Sequence, residues 1–163
     1  MGQDYTKHNL LFISKYPEII HEFTDAMKDR DIEIETAQNG IEAAAKIKKK
    51  NYDVVITGLS LEGYNGEQLI TYLNKTAPST VCIIYTTTIS SAQLHFFINE
   101  RNVFRVFLRP VDFRGAFWES LEEAYEYHAV QVKNEEDTGA RRQEQEKQER
   151  EIEIMDQRMR SQR

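Results

Sequence analysis

The sequence predicts a doubly wound α/β domain, a parallel sheet with helices on both faces, on three observations. Five apolar stretches of strand length alternate with five stretches of helical periodicity, at spacings of roughly 20 to 25 residues. Val81-Cys-Ile-Ile-Tyr-Thr86 is apolar and β-rich without alternation, as a strand buried on both faces should be. Third, Asp53-Val-Val-Ile-Thr-Gly-Leu-Ser-Leu-Glu-Gly-Tyr-Asn-Gly66 passes from an apolar strand through a turn-rich loop straight into a helix. Chemistry in open α/β sheets collects where strands end and such loops begin. That position is held here by Gly58, which has no side chain.

Each element has its own signal. Asn9 to Ser14 is an apolar run, and Pro17 opens a helical pattern with Ile19, Ile20, Phe23 and Met27 on one face. Ile32-Glu-Ile-Glu-Thr-Ala37 alternates strictly, which predicts a half-exposed strand at a sheet edge. Asn39-Gly40 turns into a helix over Ile41 to Lys50, with Ile41, Ala44, Ala45 and Ile47 expected inward and Lys48, Lys49 and Lys50 forming a cationic C-terminus. Val54 to Thr57 is the third strand, and Gln68-Leu-Ile-Thr-Tyr-Leu73 begins the helix after it. After the fourth strand, Ser90 or Ser91 caps a helix running through Leu94, Phe97 and Ile98. Val103 to Leu108 is the fifth strand, ended by Arg109-Pro110. A last helix is expected from Asp112 through Phe117, Leu121 and Ala124 towards Val132. Most aromatic residues read as core, while Phe113, Trp118, Tyr125 and Tyr127 are candidates for an exposed patch on that helix.

Composition then shifts. A domain over residues 1–132 is followed by a charged extension or linker over 133–163, where 8 Lys or Arg and 9 Asp or Glu crowd out apolar residues. Such a segment cannot bury enough surface to fold alone, yet Glu, Gln, Arg and Lys favour helix and pair at i,i+4. Ile152, Met155 and Met159 stand at coiled-coil spacing. A helical stalk that pairs with a second copy, an isolated solvated helix and disorder all remain open, and Thr138-Gly139 is a candidate break before the stalk. Its end at Arg163, with no closing apolar cluster, reads as part of a longer regulator.

Several classes are excluded or disfavoured. A net charge of -6 argues against nucleic-acid binding, which needs a basic face. No apolar run approaches the ~18 residues that span a bilayer, so a cytoplasmic protein is expected. Met-Gly-Gln-Asp-Tyr-Thr fits a loose myristoylation pattern, but Asp4 suits it poorly and coincidence is the better reading. The lone Cys82 can form neither a disulfide framework nor a cysteine metal site and reads as a small buried hydrophobe. His8, His21, His95 and His128 fall on separate elements without ligand spacing, and Ser60 and Thr57 have no histidine partner for nucleophilic catalysis.

Four local patterns resemble the receiver domains of response regulators in two-component phosphorelay signalling. Phe12-Ile-Ser-Lys-Tyr-Pro17 is similar to the first-strand end that carries the family's acidic pair. Gly58-Leu-Ser-Leu-Glu-Gly-Tyr-Asn-Gly66 is similar to the loop that begins with the phosphorylated aspartate, and Ile84-Tyr-Thr86 to the fourth-strand end with its hydroxyl residue. Val103-Phe-Arg-Val-Phe-Leu-Arg-Pro110 resembles the fifth strand ending in Lys-Pro. The resemblance implies a flavodoxin-like three-layer sandwich with strand order 2-1-3-4-5. It also implies that the chain is a degenerate member: Gly58 stands for the acceptor aspartate, Ser14 and Lys15 for the acidic pair, Thr86 for the hydroxyl, Arg109 for the lysine and Val106 for the aromatic switch position.

Phosphoryl transfer to a carboxylate needs a nucleophilic carboxylate, a hard divalent cation held by further carboxylates, and a cation for the phosphoryl oxygens. The first two are missing at these positions, so no Mg²⁺, no cofactor and no enzymatic activity are expected. A receiver pocket of three acids and one lysine carries a net -2, whereas Lys15 and Arg109 make this one +2. Two arrangements are open: Lys15 sets its ammonium where the metal would lie and fixes the pocket in one state, or both cations reach outward. Asp53, at the start of its strand, and Glu62, in the loop, are the weaker candidates for a substitute acid. The expected function is a pseudo-receiver acting through protein partners, with a homodimer through the last domain helix or the stalk. The alternatives are anion or small-molecule sensing at Lys15 and Arg109, and phosphorylation at an atypical residue.

Overall fold

The computed structural model describes residues 8–161, so the N-terminal hexapeptide read above lies outside the described residues. Five strands and five helices alternate among them: β1 (His8–Ile13), α1 (Pro17–Met27), β2 (Ile32–Ala37), α2 (Gly40–Lys49), β3 (Val54–Thr57), α3 (Gly66–Thr76), β4 (Val81–Thr86), α4 (Ser91–Glu100), β5 (Val103–Leu108) and α5 (Ala116–Ser161). The strands form one parallel sheet in the order β2-β1-β3-β4-β5. The alternating strand β2 is indeed an edge, and the uniformly apolar β4 is buried along its length except at Thr86.

Successive residues of each strand point to opposite faces, and the core divides accordingly. Leu10, Phe12, Val54, Ile56 and Ile83 pack with α1 and α5 through Phe23, Met27, Phe117 and Leu121. Leu11, Ile13, Val55, Cys82 and Ile84 pack with α2, α3 and α4 through Ala43, Ile47, Leu69, Leu73 and Phe97. Two buried clusters either side of a sheet make the three-layer sandwich.

Helix starts follow local chemistry. Asn39 and Asn65 each accept from a backbone N–H one turn on, and Asn65–Gln68 and Ser90–Gln93 form reciprocal capping boxes. The last turn of α2 is cationic, with Lys50 just beyond it bonded to Glu33 and Glu35 on β2.

Four expectations are corrected. The inward face of α2 is Gly40, Ala43 and Ile47, while Ile41 is 63% exposed and Ala45 is also exposed. The cause is Gly40: a Cβ there would collide with the Tyr64 backbone, so that face of α2 abuts the β3–α3 loop, and Ile41 covers Gly63 of the same loop. Phe113 and Tyr125 are core rather than patch, and Trp118 is half-buried under the Arg30 guanidinium, which leaves Tyr127 exposed. The last helix begins at Ala116, because residues 113–115 form a turn in which Arg114 N–H donates to the Asp112 carboxylate. Thr138-Gly139 does not break α5: one glycine costs about 1 kcal/mol against alanine, and strong helix formers surround it.

The chain divides into two compact units, one ending at His128 and one beginning at Ala129. In the second, the described residues from Lys133 onward are all exposed. The ion pairs Glu146–Arg150 and Asp156–Arg160 follow the i,i+4 rule.

Candidate functional site

The parallel register brings four strand ends to one edge. Ile13 lies opposite Thr57, Thr57 opposite Ile84, and Thr86 opposite Leu108. The residues that leave those strands are therefore neighbours. Their backbones are tied together: Ser14 N–H donates to Ala37, Gly58 N–H to Ile13 at 3.0 Å, and Arg109 N–H to Thr86 at 2.8 Å. A cavity of about 90 Å³ opens there, and it is lined by Ser14, Lys15, Gly58, Thr86 and Arg109 together. Val106 is not brought in: it lies mid-strand opposite Ile84, half-buried against the α2, α3 and α4 side of the core.

The side chains define what the cavity can hold. Ser14 is buried, and its hydroxyl accepts from Tyr16 N–H at 3.2 Å. Lys15 is exposed at the rim, where its ammonium donates to Ser60 Oγ at 3.4 Å. Its ammonium also lies 5.2 Å from the centre of the Tyr16 ring, and the Arg109 guanidinium lies 4.7 Å from the same centre. Arg109 also reaches the Tyr85 ring at 5.9 Å. Burial raises the Tyr85 hydroxyl pKa above its ordinary value, with Arg109 opposing the shift. Thr86 Oγ1 donates to the carbonyl of Thr88 at 3.3 Å, so the hydroxyl is turned along its own loop. The Arg109–Pro110 peptide is cis.

Two glycines shape the floor. A Cβ on Gly66 would collide with the carbonyl of Gly58, so only glycine lets the start of α3 come this close to the strand end. A Cβ on Gly58 would meet nothing nearer than Tyr85 O at 3.8 Å and Ile13 O at 3.9 Å. Space for a side chain exists at position 58.

A divalent cation of the Mg²⁺ type would need several oxygen ligands, carboxylates first. The lining residues contain no Asp or Glu, and they place an ammonium and a guanidinium around the same small space. These residues do not fit such an ion. Among the described residues no group of three or more His, Cys, Asp or Glu could hold a metal. Glu62 stays exposed in the loop, outside the lining, with its backbone carbonyl accepting from Gly40 N–H.

Asp53 lies at the other end of β3, and sequence spacing gave no hint of its surroundings. Its carboxylate accepts from Asn9 N–H at 3.2 Å and faces His128 Nε2 at 3.1 Å and His8 Nδ1 at 3.7 Å. Burial pushes its pKa up, but the bonds from His128 and Asn9 outweigh this and bring it below the usual value. Cys82 is buried, and its thiol is pushed up to about 12 by desolvation, consistent with a packing role. A cavity of about 400 Å³ lies away from the strand ends between α2 and α3, against Tyr64, Tyr72 and Leu69.

Sequence reasoning missed Tyr16 and Ser60 at the site. An aromatic just before a helix carries no signal of its own, and its two cations come from strand ends 94 positions apart in the numbering, at 15 and 109.

The profile of the response regulator receiver domain matches residues 11–115. No curated protein matches the sequence. Among solved structures, the signal receiver domain of an HD domain-containing protein from Pseudomonas fluorescens Pf-5 superposes with a TM-score of 0.71 at 19% identity, covering 76% of this chain and 98% of that one. A CheY-like response regulator receiver domain protein from Methanospirillum hungatei JF-1 gives 0.69 at 19% identity, over 77% of this chain and 99% of that one. An adenylate cyclase structure from Rhodopirellula baltica gives 0.72 at 19% identity, over 80% and 96%. At such identities the likeness is one of fold.

Proposed function

We infer the function from one premise: the chain belongs to the response regulator receiver domain family. On it we propose a pseudo-receiver, a signalling module that keeps the fold and its interaction faces but takes no phosphoryl group on aspartate. The observation that carries this reading is the composition of the strand-end cavity. On the motif resemblance Gly58 stands for the acceptor and Ser14 and Lys15 for the acidic pair, and Lys15 and Arg109 both contact one tyrosine ring with no carboxylate among the lining residues.

The electrostatics favour the reading. A divalent cation brought to a pocket of two positive charges gains nothing and meets repulsion, and without that cation and a nucleophile the transfer has no chemistry to use. The module is then neither an enzyme nor Mg²⁺-dependent, and its output is contact with protein partners in the cytoplasm, not with nucleic acid. Its extension pairs with a second copy or leads to an output region. No described helix is long and apolar enough to cross a membrane.

Intact mass after incubation with acetyl phosphate and Mg²⁺ tests this directly. The expected result is an unchanged mass. A phosphoryl adduct released by hydroxylamine overturns it, and points first to Asp53 or Glu62 as the acceptor.

A further inference from the structure

We propose that the strand-end cavity binds one free tetrahedral oxyanion of the phosphate class, held without a metal ion and without a covalent bond. This rests on the pseudo-receiver reading, because it gives the cavity a ligand in place of a reaction. Lys15 and Arg109 are charged, both line the cavity, and neither forms an ion pair with a described residue. Glu22 is the acid to be reckoned with. It lines an adjoining cavity with Tyr85 and Arg109, and it acts on Tyr85 through its field without forming an ion pair with Arg109.

The two cations are also positioned in advance. Each lies against the Tyr16 ring, at 5.2 and 4.7 Å from its centre, so one ring contacts the cation from each strand end. With no carboxylate in the lining, neither charge is neutralised there, and an anion in the cavity is attracted to both. The Ser60 hydroxyl, which accepts from Lys15, can donate to an oxyanion, and the Thr86 hydroxyl can do so once it leaves the Thr88 carbonyl.

Size narrows the class. About 90 Å³ is several times the roughly 10–15 Å³ that admits one water, so the cavity has room for a small ion. Pockets for larger ligands run to about 300 Å³ and more, so the strand-end cavity by itself is sized for a small ion. The open side of Gly58, where a Cβ would have 3.8 Å to its nearest neighbour, leaves the floor clear for an oxygen atom.

The test is calorimetric titration of the full chain with sodium phosphate and, separately, sodium sulfate, at ionic strength fixed with chloride, with and without Mg²⁺. Wild type, Lys15→Ala and Arg109→Gln are compared, with circular dichroism to show that each is folded. The expected result is saturable binding of one phosphate that Mg²⁺ does not tighten and that weakens about tenfold or more in either variant, a charge-assisted bond being lost. Competition by sulfate supports a site that reads tetrahedral charge. Absence of saturable binding in wild type, binding unchanged in both variants, or binding that requires Mg²⁺ overturns the proposal. Intact mass of the same protein after acetyl phosphate separates the two claims. An adduct sinks the pseudo-receiver reading, whereas no adduct together with no phosphate binding sinks this inference alone.

Discussion

His128 Nδ1 lies 2.8 Å from the carbonyl of Ser79, and its Nε2 lies 3.1 Å from the Asp53 carboxylate. Both neighbours are acceptors, so the ring meets each through a nitrogen that can carry a proton. The carboxylate is thus held charged from two sides, by His128 and by Asn9. Because its folded pKa lies below 3.8, the stability it contributes is fully present above that value and is lost as pH falls through the lower folded one. Denaturant midpoints measured from neutral pH downward should fall more steeply through that acid range in wild type than in Asp53→Asn; parallel curves would mean that the carboxylate contributes nothing. None of this was legible in the sequence, where His8, Asp53 and His128 are far apart and periodicity says nothing about their meeting. The strand-end residues were legible, because parallel strands must finish on one edge and the residue after each strand is fixed by counting. Their through-space partners Tyr16 and Ser60 were not.

At the scale of elements, the number of strands and helices and their succession along the chain followed from short apolar runs, one alternating stretch and a helical period of 3.6, and the error on α2 shows where that last signal fails. The apolar spacing favoured Ile41, Ala44, Ala45 and Ile47, but the side of the helix that abuts the β3–α3 loop runs through Gly40, a residue with no hydropathy to count. Close approach of backbones, not burial of a large side chain, set the rotation. Gly40 N–H also donates to the Glu62 carbonyl at 2.8 Å, so α2 and the loop are bonded where they touch. Gly40→Ala forces a methyl group into the Tyr64 carbonyl and should cost about 1–3 kcal/mol, as overpacking usually does. Urea unfolding measures it, and a midpoint equal to wild type would show that the loop yields freely.

At the scale of the whole molecule, the second unit poses a different problem from the first. From Lys133 to Ser161 its described residues are exposed, and Ile152, Met155 and Met159 are 67%, 62% and 70% exposed. Polar helices hold together through i,i+4 pairs or through a partner, and isolated pairs give only about 0.2–0.5 kcal/mol each. The pairs Glu146–Arg150 and Asp156–Arg160 leave the apolar stripe unexplained, and its a/d spacing suits the same stripe on a second copy. With 8 positive and 9 negative residues, the segment from 133 to 163 has little net charge to keep two copies apart. Sedimentation of the full chain should show a concentration-dependent dimer, and the double substitution Ile152→Glu, Met155→Glu should return it to a monomer without changing the near-ultraviolet signal of Trp118. A dimer that survives the substitution moves the contact to the part of α5 before His128, where Tyr127 is exposed. A wild type that is monomeric at every concentration removes the second copy and leaves the stripe to a different chain or to solvent.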